Sequence, residues 1–137
     1  MGVESWKIGQ VAKASGIGID AIRFYEREGL IEKPARRPSG YRAYSPDVVR
    51  QLRFIRRAKE LGFSLAEISE LLALDRDPRA TAGKVKKAAE RKLRDIETRI
   101  RALQRMRRAL RNLTQECPGR GPARACPILG ALAREER

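Results

Sequence analysis

Apolar residues along the first third of the chain recur at helical spacing in short bursts separated by glycine. Ile8, Val11 and Ala12 stand at i, i+3 and i+4, the face of a short helix that runs to Ser15 and is broken by Gly16. A second burst, from Gly18, carries Ala21, Ile22 and Tyr25 and stops at Gly29, where a C-cap is expected. Two short helices around a glycine-containing turn predict a helix-turn-helix, a pattern that many small helical proteins share. From Glu32 to Tyr44 the periodicity fails. Pro34, Arg36, Arg37, Pro38, Gly40 and Arg42 interrupt it, which predicts a loop or hairpin. Arginines and tyrosines on a hairpin beside a helix-turn-helix suggest a wing that grips the phosphate backbone.

Ser45, Pro46 and Asp47 form a helix start: a capping hydroxyl, a proline in the first turn, and an acid at the positive end of the dipole. Val48, Leu52, Ile55 and Lys59 continue that helix to a stop at Gly62. Ser64 with Glu67 is a capping box opening a further helix with Leu65, Ile68, Leu71 and Leu72, and Asp77-Pro78 ends it. Residues 80–114 then contain no proline, and no glycine after Gly83. Ala89, Leu93, Ile96, Ile100 and Leu103 alternate at four and three, a heptad seam that Arg107 interrupts and Leu110 resumes, with Met106 and Leu113 beside it. A helix of that length spans roughly 50 Å. It cannot bury its stripe against so small a domain, so the simplest partner is the same helix of a second chain.

The tail reads Cys117-Pro-Gly-Arg-Gly-Pro-Ala-Arg-Ala-Cys126, with eight residues between the thiols. A stiff Pro/Gly loop brings its ends together at modest entropic expense. Pro127 suits the first position of a short helix through Leu132, which places Cys126 at its N-cap. There the helix dipole favours thiolate, the form that binds metal.

Composition narrows the chemistry. The chain of 137 residues carries a formal charge of +14, which implies a polyanionic partner, most simply nucleic acid. Residues 1–75 hold 13 Lys/Arg against 10 Asp/Glu, and residues 76–137 hold 18 against 7, so most of the excess lies away from the helix-turn-helix. That second basic region reads either as an aid to non-specific phosphate attraction or as a solvated helix face. There is no histidine, which removes imidazole from acid–base catalysis and from metal sites. With no glycine-rich phosphate loop and no nucleophile motif, an enzyme is not expected. No apolar run is long enough to span a bilayer and the N-terminus has no signal-peptide core, so no membrane association and a cytoplasmic location, with reduced thiols, are expected.

Ile22-Arg23-Phe24-Tyr25-Glu26, Gly29-Leu30, Gly40-Tyr41-Arg42 with Tyr44, and Leu61-Gly62-Phe63-Ser64-Leu65 with Glu67-Ile68 closely resemble, in this order, the MerR family. The resemblance implies a mainly α fold. A winged helix-turn-helix DNA-binding domain occupies 1–78, a long antiparallel coiled-coil dimerisation helix 79–114, and a two-cysteine metal-binding loop with a short C-terminal helix 115–137. By position it implies DNA contacts from Arg23 and Tyr25 on the second helix, from Arg36, Arg37, Tyr41 and Arg42 in the wing, and from Lys59, where copper sensors commonly carry arginine. It also implies a homodimer on double-stranded promoter DNA that, with effector bound, distorts an overlong spacer so that RNA polymerase can engage it.

The Cys-Pro-Gly … Cys-Pro-Ile-Leu tail looks like the metal-responsive branch, with Cys117 and Cys126 as ligands. Two thiolates and no imidazole favour soft ions: Cu(I), Ag(I), Au(I) or Hg(II). In the family, divalent-ion sensors usually add a cysteine at the start of the dimer helix and copper sensors a serine, and Ala82 matches neither. Lack of a third thiolate favours linear two-coordination and Cu(I)-type ions, whereas the eight-residue spacing equals that of mercury regulators and keeps Hg(II) as the alternative. A thiol redox sensor closing a Cys117–Cys126 disulfide is the other functional reading.

Overall fold

The computed structural model describes residues 5–36 and 42–134. The described chain is mainly helical: α1 (Ile8–Ser15), α2 (Ile19–Arg27), a hairpin of β1 (Ala35–Arg36) and β2 (Arg42–Ala43), α3 (Pro46–Glu60), α4 (Leu65–Arg76), α5 (Ala82–Glu116), a 3-10 turn (Ala123–Ala125) and α6 (Pro127–Ala133). Packing divides the chain into two compact units, residues 1–89 and 90–137, with the boundary inside α5.

In the first unit the starts and stops follow from local chemistry. The α1 backbone opens with the Lys7 N–H donating to Gln10 Oε1 at 2.9 Å, and Gly16 closes it at φ 73°, a left-handed conformation natural to glycine. Ser45 Oγ accepts from the Asp47 N–H at 3.3 Å. The capping box at α4 is reciprocal: Ser64 N–H donates to Glu67 Oε1 at 2.8 Å and Glu67 N–H to Ser64 Oγ at 3.2 Å.

The core gathers the apolar faces of four helices and the hairpin's end. Val11 from α1, Ile22 from α2, Leu52 and Ile55 from α3, Ile68 from α4, and Tyr44 after β2 are wholly buried. Tyr44 also anchors the wing. Its backbone exchanges two hydrogen bonds of 2.8 Å with Trp6, and its hydroxyl donates to Glu26 Oε2 on α2 at 3.0 Å.

Three arginines reach past the core to carbonyls at element ends, where helical backbones leave acceptors unsatisfied. Arg53 Nη2 donates to Ala14 O at 3.1 Å, Arg56 Nη1 to Ser15 O at 3.5 Å, and Arg76 Nη2 to Leu30 O at 2.7 Å. Arg50 grips Asp75 through both guanidinium nitrogens, at 2.9 and 3.2 Å. The end of α1, the turn after α2 and the end of α4 are thus pinned by charge-assisted bonds as well as by apolar packing.

In the second unit, α5 carries an open apolar seam. Leu93, Ile100, Leu103, Met106 and Leu110 are 48–61 % exposed. A stripe of that size left in water has no counterpart within the described residues of one chain, which is the condition for helix pairing.

Candidate DNA-reading surface and thiol pair

The turn between α1 and α2 sets the direction in which α2, the candidate reading helix, departs. Gly16 is confined by its positive φ, and a Cβ there would meet only the end of the flexible Arg56 side chain, displacing its guanidinium from Ser15 O. Arg56 and Arg53 on α3 hold the α1 end from which α2 departs. Sequence periodicity misses both, because an arginine on an exposed helix position carries no signal of which carbonyl it reaches.

On α2, Arg23 is exposed, free to present its guanidinium fork to phosphate or guanine. Tyr25 is different. Its ring is 5 % exposed and belongs to the core. Its hydroxyl accepts from Lys59 Nζ of α3 at 3.3 Å, and that ammonium lies 5.9 Å from the ring centroid, within cation–π range. What Tyr25 can offer DNA is therefore confined to its hydroxyl and to the placement of Lys59. The structure thus brings Tyr25 and Lys59 together across two helices, which their separation in the chain did not show.

In the wing, Arg36 and Arg42 stand directly opposite one another in the antiparallel register. Arg37 and Tyr41, the other two expected wing contacts, lie outside the described residues.

At the far end of the chain, Cys117 follows the last residue of α5 and its N–H donates to Leu113 O at 3.3 Å. Gly119 and Gly121, at φ 71° and 88°, turn the backbone through conformations that other residues rarely adopt. The 3-10 turn returns the chain so that Cys126 becomes the N-cap of α6, with Pro127 at the first helical position. The two Sγ atoms come to 3.2 Å, both half-buried and unoxidised. The Cys126 thiol titrates below the usual cysteine range, first because the Cys117 thiol hydrogen-bonds it, then because the Ile128 and Leu129 N–H groups face it, burial opposing them.

Among the described residues no group of three His, Cys, Asp or Glu side chains could hold a metal. The two thiols are a candidate sulfur pair, of the kind suited to an ion content with two soft ligands. Cys117 and Cys126 would hold a thiophilic ion through their sulfurs, joined by the loop that Gly119 and Gly121 bend. The lowered Cys126 pKa has a direct chemical readout. Limiting iodoacetamide at neutral pH should label Cys126 faster than the cysteine of an unstructured peptide, read by peptide mass spectrometry, because the thiolate is the reacting form. Labelling no faster than the peptide would contradict the lowered pKa.

Comparison with known proteins agrees with this anatomy. The family pattern described as "MerR HTH family regulatory protein" matches residues 6–75 and that described as "MerR, DNA binding" matches residues 49–113. The chain is 42% identical over 92% of its length to the HTH-type transcriptional regulator CueR of Salmonella typhimurium, covering 91% of that protein. The fold is similar to the lead(II) complex of the transcription regulator PbrR691 from Ralstonia metallidurans, with a TM-score of 0.83 at 32% identity, covering 93% of this chain and 98% of that one. It is also similar to the mercury(II) complex of the regulator MerR from Bacillus megaterium, with a TM-score of 0.72 at 36% identity, covering 94% and 100%.

Proposed function

The chain belongs to the MerR family of helix-turn-helix transcription regulators and is metal-responsive, and from that premise we propose that it activates a metal-resistance promoter when Cys117 and Cys126 take up a thiophilic ion, foremost Cu(I), Ag(I) or Au(I). The observation that carries this reading is the sulfur pair itself: two thiols 3.2 Å apart at the foot of α5, with no third ligand from the described residues. Such a set discriminates by coordination number. Zinc, which favours four ligands, is served poorly, and monovalent soft ions are served well.

The remaining parts follow from the same family. The protein acts in the cytoplasm as a homodimer held by α5, its domains divided at 1–78, 79–114 and 115–137. Arg23, Tyr25 through its hydroxyl, Lys59 and the wing residues Arg36, Arg37, Tyr41 and Arg42 hold double-stranded promoter DNA. The metal-bound dimer alters the shape of the spacer so that RNA polymerase engages both promoter elements, a control exerted through DNA deformability. Arg23→Ala should weaken operator binding by about 10- to 100-fold, the worth of one good contact of about 1–3 kcal/mol. The urea midpoint should not move, since Arg23 is exposed. An unchanged footprint at unchanged affinity would remove Arg23 from the reading surface.

Hg(II) is the second reading, favoured by the eight residues between the thiols and by the likeness to the mercury(II) complex at 36% identity. A thiol redox sensor is the third, favoured by the short sulfur separation. In vitro transcription from the operator-bearing promoter, challenged separately with copper, silver, mercury, zinc and cadmium salts and with peroxide, separates the three. Activation by copper and silver at the lowest free concentrations supports the leading reading. Mercury alone supports the second, peroxide alone the third, and strong zinc activation contradicts the two-thiolate site.

A further inference from the structure

We propose that the outer face of α5 is a second, sequence-independent binding surface for duplex DNA, distinct from the helix-turn-helix. The excess charge of the C-terminal half is ordered along this helix. Arg91, Arg94, Arg101, Arg105 and Arg108 recur at steps of three, seven, four and three, with Thr98 standing at the intermediate step. At about 100° per residue this row lies on the side of the helix opposite Leu93, Ile96, Ile100, Leu103 and Leu110. A helix packed on the apolar seam therefore leaves the row in solvent.

All five arginines are exposed, and none is in an ion pair among the described residues. Between residues 98 and 115 the helix carries six arginines and no Asp or Glu. A helix face that serves only to be solvated is ordinarily interleaved with carboxylates, whose pairing one turn away supports the helix. Arg91, Arg94 and Arg101 have Asp95, Glu90 and Glu97 one turn away, but Arg105 and Arg108 have no carboxylate at that spacing, and Arg101 with Arg105 and Arg105 with Arg108 are like-charged neighbours there, which opposes helix formation. A polyanion relieves the repulsion and gains from counterion release.

The row is about 25 Å long at 1.5 Å per residue, comparable to most of a turn of DNA. Its guanidinium forks match phosphate oxygens. It has no aromatic or large apolar residue of the kind that anchors a protein interface, which favours DNA over an acidic protein surface. The surface would hold a flanking or second duplex without regard to sequence.

The test uses the full-length protein and a duplex of about 30 base pairs lacking the operator. Binding is followed by fluorescence anisotropy across a sodium chloride series for the wild type, for Arg23→Ala, and for a variant with Arg94, Arg101, Arg105 and Arg108 all changed to Gln. The fourfold Gln variant should lose about three to four from the slope of log affinity against log salt, at about 0.9 per phosphate neutralised, whereas Arg23→Ala should lose about one at most. The same four changes to Lys keep the charge and should keep the slope. A wild-type slope in the Gln variant overturns the proposal. So does loss of slope in the Lys variant at reduced circular-dichroism helicity, since the effect is then structural. Loss of binding to poly-glutamate with the DNA slope unchanged also overturns it, by making the face an acidic-protein site. Operator recognition and metal response do not enter these readouts, so failure here is separable from failure of the regulator reading.

Discussion

Changing either Cys117 or Cys126 to serine should reduce metal-induced transcription to the uninduced level while operator binding survives. An ion held by two sulfurs loses half its coordination when one becomes a hydroxyl. Disturbing groups merely beside a metal's ligands already weakens binding by about 10- to 100-fold, so removal of a ligand should exceed that. Operator binding should be spared because the thiols lie in the unit formed by residues 90–137 and the residues proposed to read DNA in that formed by residues 1–89. The two single variants should be equally silent, because a two-coordinate ion needs both sulfurs. A Cys126→Ser protein that still responds normally to copper and mercury would defeat the site. Placing cysteine at Ala82, the first residue of α5, should widen the response toward divalent ions by adding a thiolate from the partner chain.

The second large effect concerns the seam. Ile96→Asp with Ile100→Asp should convert the dimer to a monomer. Ile100 is 48 % exposed in the single chain, so pairing would take the open part of its side chain out of water, a gain of about 1 kcal/mol or more per isoleucine. An aspartate in its place adds the far larger penalty of an unpaired charge in a dry interface, several kcal/mol per ion. Both helices of the dimer carry both changes, so association should weaken by at least about four orders of magnitude, 1.4 kcal/mol being tenfold. Sedimentation reports the mass directly. Operator affinity should fall with it, because a monomer grips one half-site only. A dimer persisting at micromolar concentration would show that another surface holds the chains.

The sequence was most legible where a local rule suffices. Ser45 with Pro46, the Ser64–Glu67 box and Gly16 each mark a helix end by chemistry within four residues, and α3, α4 and α1 begin or end there. The uninterrupted stretch forecast at 80–114 is α5 at Ala82–Glu116, and the placement of Cys126 as an N-cap also follows from the adjacent Pro127.

Contacts between distant segments left no periodic trace. Arg53, Arg56 and Arg76 look like surface charge, yet each reaches a backbone carbonyl 39 to 46 residues away. Tyr25 sits on the helix expected to read DNA, yet its ring fills the core, because a helix that short must spend one face on packing. The distance between the two sulfurs depends on the turn made by Gly119, Gly121 and the 3-10 segment, which the spacing of cysteines does not determine.

X-ray absorption on the Cu(I)-loaded dimer at one equivalent per chain reads directly whether one ion is held by Cys117 and Cys126 alone. Two sulfur scatterers per copper are expected, with no third sulfur and no nitrogen shell. Three or more sulfur ligands per copper, or protein recovered with a Cys117–Cys126 disulfide and no bound metal, would contradict it.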